Sequence, residues 1–243
     1  MSDYTLLVCP HDTAKNPERW FFLTQYLSTI LDAHVSFENY LDFAEFHANL
    51  DKADIVYANP QDCVKLNSEF GFIPIFRPAG MFDEVVLIMG EDVEATGIEA
   101  LQGQKVAGVM DMLPTKIGLS VLDKHGIKPA EMVDNDSWLA VVNNIIQGKI
   151  EYGFVYKDTF DGLSPMSKEM VNLLYTSNEQ LAFHCLAIGP RLIEKQAILK
   201  EKLAGMADDP QDKTILENLE IEQWISIGQE DVDSIRNIIT SYG

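Results

Sequence analysis

The sequence predicts an α/β protein of two lobes, each a mostly parallel sheet flanked by helices, joined by two hinge crossings. Three observations carry this. Short runs of β-branched and aromatic residues alternate with segments of helical periodicity, as when strands are connected through helices. The series restarts near residue 84, giving a second strand–helix set. The chain has 243 residues, room for two lobes of about 100 to 150 residues each. No Ser/Gly-rich or low-complexity linker separates the sets, so strand-like crossings are expected near 80–85 and 176–182. Lobe one is expected to comprise 1–83 and 179–243, and lobe two 84–178.

The elements follow in order. Tyr4–Val8 reads as a strand, ended by Cys9-Pro10-His11-Asp12. A helix over about 17–31 has Pro17 and Glu18 in its first turn, which suits the helix dipole. Trp20, Leu23 and Leu27 share one face at helical spacing and are expected to face a core. Strands are expected at 33–37 and 54–58, with a helix over 42–51 between them. The stretch ADIVYANPQDCVKL joins a buried strand to a helix through a turn at Asn59-Pro60. In the second set, 83–89, 104–109 and 152–156 read as strands. Helices are expected over 117–125, closed by Gly126, and over 137–147, closed by Gly148. The end of the chain reads as a strand over 181–189, a helix over 190–205 and a closing helix from Asp231.

Charge narrows the partners. With 38 acidic against 18 basic residues the net charge is −20, a field that repels phosphate backbones and anionic membranes. Nucleic acid is therefore not expected, and the acids around Glu217, Glu220, Glu222, Glu230, Asp231 and Asp233 read as solvated surface. No segment has the roughly 20 apolar residues of a membrane helix. The N-terminus has no signal-peptide pattern. Cys9, Cys63 and Cys185 are odd in number and far apart, which argues against a disulfide framework. A cytoplasmic location is expected from the sequence as it stands, or a periplasmic one if a leader has been removed.

In open parallel α/β sheets, ligands bind where strands end and helices begin. Such ends occur here at Cys9–Asp12, Tyr57–Pro60, Asp111–Lys116 and Tyr156–Thr159. A small molecule held by groups from these ends is the expected ligand, with His11, Tyr57, Asn59, Lys116 and Tyr156 among the candidates.

A resemblance adds to this. The segments NPERWFFLTQYLS, ADIVYANPQDCVKL, LQGQKVAGVMDMLPTKIGLSVLDKHGI and WLAVVNNIIQGKIEYGFV occur in that order. With the ending MADDPQDKTILENLEIEQWISIGQEDVDSIRNII, the chain resembles periplasmic-type substrate-binding proteins. The group it is most similar to is the phosphate/phosphite/phosphonate-binding components of ABC transporters. That resemblance implies a periplasmic-binding-protein-like fold that closes on a small ligand by hinge motion. No cofactor is expected, and which protein partner the chain has, a transporter or a signalling component, is left open. By position, Tyr57, Asn59 and Pro60 stand at the family's first-lobe turn, and Phe82 at an aromatic position on the crossing. Thr115 stands where the family has a Ser/Thr-rich anion loop, and Asp136 near a common histidine. Here the loop reads Met112-Leu113-Pro114-Thr115-Lys116, with one hydroxyl, a proline lacking an N–H and two apolar side chains. Asp136 would repel an anion unless protonated or paired with Lys116. A weaker anion, a zwitterion, a partly apolar acid or a cation is therefore expected.

Two other classes compete with a non-catalytic sensor or carrier. An enzyme on the same fold, acting on a small organic acid, would need an acid–base pair, for which His11 with Asp12 or Asp136 is the best available. No G-x-S-x-G, H-E-x-x-H, Walker or G-x-G-x-x-G motif occurs. A soft-metal or metalloid site would use Cys9, His11 and Cys63, with His184 and Cys185 more remote, but no metal-ligand spacing fixes it. Tyr57→Ala and Asn59→Ala are expected to abolish binding and leave the fold intact.

Overall fold

The computed structural model describes residues 3–14 and 16–242. Its strands and helices are numbered in chain order. Those up to the first crossing are β1 (Tyr4–Val8), α1 (Pro10–Thr13), α2 (Arg19–Leu31), β2 (Val35–Glu38), α3 (Phe43–Ala48), β3 (Ile55–Ala58), α4 (Pro60–Glu69) and β4 (Ile73–Pro78). Next come β5 (Val85–Gly90), β6 (Lys105–Gly108), α5 (Leu113–Lys124), β7 (Glu131–Asp134), α6 (Trp138–Ile146), β8 (Tyr152–Tyr156), α7 (Lys157–Asp161), α8 (Pro165–Glu169) and β9 (Val171–Thr176). The chain ends with β10 (Cys185–Ile188), α9 (Gln196–Ala204), α10 (Pro210–Leu219), β11 (Trp224–Ser226) and α11 (Gln229–Ser241).

The chain divides into two compact units. Unit one takes the described residues of Met1–Met81 and Phe183–Ile235, and unit two those of Phe82–Ala182 and Arg236–Gly243. The final residues thus group with unit two, whereas the sequence reading put all of 179–243 in lobe one. A helix can run unbroken through such a boundary, and α11 does.

Unit one is built on a six-stranded sheet in the order β11-β4-β10-β3-β1-β2. Strand β1 is parallel to β2 and β3, while β10 is antiparallel to β3 and β4, and β11 to β4. Four of its strands therefore point one way, and β10 and β11, which lie after the return from unit two, run against them. The α2 stripe packs as expected: Trp20, Leu23, Leu27 and Leu31 are buried in one cluster with Leu6, Val8, Ile55 and Tyr57. Burying side chains of this size stabilises by about 1.5–3 kcal/mol each.

Unit two has a five-stranded sheet, β7-β6-β8-β5-β9, in which only β5 opposes the others. Alternation along β8 sends Gly153 to one face and Phe154 to the other. A Cβ on Gly153 would lie 2.6 Å from Val141 of α6, and one on Gly118 of α5 would lie 2.7 Å from the Phe154 ring. Helices α5 and α6 therefore cover opposite faces, and each approaches the sheet closely because a glycine stands at the contact. This contact seats the first turn of α5. That helix begins four residues earlier than its periodicity predicts, because Pro114 is tolerated in a first turn and lacks only a donor that has no partner there. Strands β7, β9 and β11 are short or edge elements without a clear alternating pattern, and periodicity did not reveal them.

Candidate functional site

In unit one, β3 carries Tyr57 and ends at Asn59, the N-cap of α4. The Asn59 side-chain oxygen accepts from the Asp62 backbone N–H at 2.9 Å, and its amide donates to Asp62 Oδ2 at 2.6 Å. Pro60 is buried in the first turn of α4. Asp62 is almost enclosed and also meets His47 Nε2 of α3 at 2.8 Å. The turn is thus closed by its own side chains. Tyr57 is only 2% exposed and packs against Trp20, Trp224 and His184, at ring separations of 4.8, 6.2 and 5.7 Å. Tyr57→Ala is therefore a core truncation, expected to cost about 3–5 kcal/mol of stability as well as any effect on binding.

Histidine pairing differs from the sequence reading. Asp12 does not serve His11: its carboxylate lies 2.9 Å from His184 Nδ1, and its backbone carbonyl accepts from Arg19 and Trp20. His11 is exposed, edge-on to Phe43 at 5.5 Å. The His11–Asp12 pair is not formed because β10 brings His184, distant in sequence, to the end of β1. A signal was present in Phe183-His184-Cys185, but nothing local links it to Asp12.

The cysteines also depart from expectation. Cys63 of α4 and Cys185 of β10 form a disulfide with a Cα–Cα distance of 6.4 Å. Sequence separation is a poor guide to pairing here, because the chain leaves unit one and returns to it between the two positions. Cys63 is thereby removed from any metal set with Cys9 and His11, and no group of three His, Cys, Asp or Glu among the described residues is arranged to hold a metal ion. Cys9 is a buried free thiol. Burial, reinforced by the negative charge of Asp12, pushes it up to about 12. At pH 8 the thiol stays protonated and unreactive. A thiol reagent is expected to label no cysteine in the native protein, one after unfolding without reductant and three after unfolding with it. A native count of one or more would contradict this environment.

Unit two holds the remaining candidates. Thr115 is fully buried, and its hydroxyl oxygen accepts the Val109 N–H at 3.1 Å, tying the end of β6 to α5. Lys116 follows it in the first turn of α5. The side chain is 7% exposed, yet no hydrogen bond or ion pair is made by its ammonium group among the described residues. The fully enclosed unpartnered nitrogens are Arg19 Nε and Trp224 Nε1, so the Lys116 ammonium keeps access to solvent while its stem is covered. Asp136 is exposed and does not pair with Lys116. The Tyr156 hydroxyl lies 3.0 Å from Asp83 Oδ1 and 3.1 Å from Asp158 Oδ2. Burial, together with these two carboxylates, pushes its ionisation upward, so it remains a donor at any physiological pH. Phe82 is half-buried at the start of the unit. Sequence reasoning did not find Glu84, which is buried and accepts from the Ser177 hydroxyl and from Gln180 N at 2.8 Å. These contacts fasten the segment after β9 to the start of β5.

Two mixed sheets flanked by helices, one of them assembled from both ends of the chain, define the two-lobed periplasmic-binding-protein fold. Solved structures share it over nearly all of the chain. XAC2383 from Xanthomonas citri, bound to chloride ion, superposes with a TM-score of 0.74 at 14% identity, covering 100% of this chain and 98% of that one. PhnD1 from Prochlorococcus marinus, in complex with methylphosphonate, gives 0.69 at 15% identity, with 98% and 97% covered. The periplasmic aliphatic sulphonate binding protein SsuA from Escherichia coli gives 0.69 at 10%, with 100% and 87% covered. No curated protein matches the sequence. Residues 7–232 match the model of the ABC transporter, phosphonate, periplasmic substrate-binding protein family, and the chain belongs to that family. The family is a periplasmic one, so the cytoplasmic sensor expected from the sequence finds no support.

Proposed function

We propose that this protein is a non-catalytic binding component serving an ABC transporter in an oxidising, extracytoplasmic compartment, and that its ligand is a small organic anion. Family membership over residues 7–232 supports the transporter role. The Cys63–Cys185 disulfide fits an oxidising compartment, since such bonds are rare in the reducing cytosol. The observation that carries the anionic ligand is Lys116. Its stem is covered while its ammonium reaches solvent and makes no hydrogen bond or ion pair among the described residues, so a positive charge is held in a fixed place and open to a ligand. In a chain of net charge −20 a carboxylate partner would be easy to provide, so leaving this cation free keeps it available to something else. The solved structures named for methylphosphonate and for aliphatic sulphonate are both named for anions.

Thermal unfolding in the presence of phosphonates, sulfonates, carboxylates, amino acids and sugars tests this reading. An anion at 100 times its dissociation constant is expected to stabilise the protein by about 2.7 kcal/mol, a shift of several degrees. Stabilisation by sugars alone, or by no compound in the panel, would overturn it.

A further inference from the structure

We infer that Cys9 is a temporary partner for Cys63: a Cys9–Cys63 disulfide forms first, and Cys185 replaces Cys9 by thiol–disulfide exchange when β10 takes its place in the sheet. The three cysteines converge at one end of the unit-one sheet. Strand β3 has β10 on one side and β1 on the other, with Cys185 opposite Ala58 and the Cys9 N–H donating to Tyr57 O at 2.8 Å. Val8, Tyr57 and Leu186 belong to the cluster that buries Trp20, so alternation turns their neighbours Cys9, Ala58 and Cys185 toward the opposite face. Cys63 meets Cys185 on that face. Asn59 ties the third sulfur to the same place: its amide donates to Cys9 Sγ at 3.8 Å, and its carbonyl accepts the Cys63 N–H at 2.8 Å. Cys9 thus sits beside the first turn of the helix that carries Cys63, and all three cysteines are buried.

Chain order decides which pair meets first. Cys9 and Cys63 both precede the crossing into unit two, and Cys185 follows the return from it. Cys63 is less than half as far from Cys9 in sequence as it is from Cys185. Loop closure in the unfolded chain favours the shorter loop by roughly threefold. A disulfide oxidant takes two electrons from the Cys9 and Cys63 thiols, which form one S–S bond while the oxidant is reduced to two thiols. Once β10 pairs with β3, the Cys185 thiolate attacks Cys63 Sγ. The Cys63–Cys185 bond forms, the Cys9–Cys63 bond breaks, and Cys9 leaves as a thiolate that takes up a proton. Burial pushes the released Cys9 thiol up to about 12, so the thiolate needed for the reverse attack is scarce and the native pairing is kept. While the first sheet is incomplete, Cys63 is held by a sulfur of its own chain and is not open to a thiol of another.

Oxidative refolding of the reduced, unfolded full chain in mixed reduced and oxidised glutathione tests this, with alkylation at successive times and mapping of cross-linked peptides by mass spectrometry. The Cys9–Cys63 link is expected to exceed Cys63–Cys185 by roughly threefold at the earliest times and to decline as the native link grows. In Cys185→Ser, which cannot make the exchange, Cys9–Cys63 is expected to persist as the end product. Cys63–Cys185 as the leading link at every time, or two free thiols in Cys185→Ser under the same conditions, would overturn the inference.

Discussion

Replacing both Cys63 and Cys185 by alanine is expected to lower the stability of unit one by about 5 kcal/mol. The bridge closes a loop with a sequence separation of 122 residues. Chain-entropy reasoning assigns a loop of that length close to 5 kcal/mol, with native-state strain and residual unfolded structure acting to reduce the figure. Whole domains are commonly stable by only 5–15 kcal/mol, so the loss approaches the total. Guanidinium unfolding followed by tryptophan fluorescence is a suitable readout, because Trp20 and Trp224 lie in the core of unit one. Oxidised wild type should show a higher midpoint than the double variant, and added reductant should move wild type onto the variant's curve. Coincident midpoints with and without reductant would show that the bridge does not constrain the unfolded chain.

Lys116→Met should separate binding from folding. Methionine matches the covered stem in length and apolar character, so the packing of α5 is retained and stability should stay within about 1 kcal/mol of wild type. Affinity for an anion should fall by about 2 kcal/mol or more, roughly 30-fold or more in Kd, since a charge-assisted contact loses its cation. Lys116→Arg should keep the charge and most of the affinity. An anion that bound Lys116→Met as tightly as wild type would place the recognition charge elsewhere. The pair of substitutions also guards against a trivial result, because a general packing defect would weaken both.

How much of this was legible beforehand depends on the range of the interaction. The β1–α2 and β3–α4 units were readable because Trp20, Leu23 and Leu27 recur at helical spacing and Asn59-Pro60 marks a helix start, all within one short window. Gly126 was readable as the end of α5 for the same reason, and it does adopt a left-handed φ of +69°. Pairings that depend on the return of the chain were not. Cys63 meets Cys185 and Asp12 meets His184 only because β10 inserts beside β3, and no local pattern encodes that insertion. The candidate residues divide along similar lines. Turn chemistry pointed to Asn59, and the family resemblance to Thr115, as groups for a ligand, but both side chains make local hydrogen bonds. Lys116 was one candidate among several in the sequence, and what set it apart from the others, a covered stem with an unpaired ammonium, is not displayed by a sequence.

Strand β10 lies between β3 and β4 in its sheet, although it follows them by more than one hundred positions in the chain. Until residues 185–188 emerge during synthesis or export, the first 81 residues hold two separated pieces of a sheet with facing, unpaired edges. The main body of unit two, residues 82–182, is continuous and can complete its own sheet first. Assembly is therefore ordered by topology: the middle of the chain matures while the beginning waits for the end. During that interval the open borders of β3 and β4 are the surfaces most exposed to pairing with another chain. Their interior side chains, Ile55, Val56, Ile75 and Phe76, are the kind that associate readily. A segment that arrives late is thus what protects the one made first from aggregation.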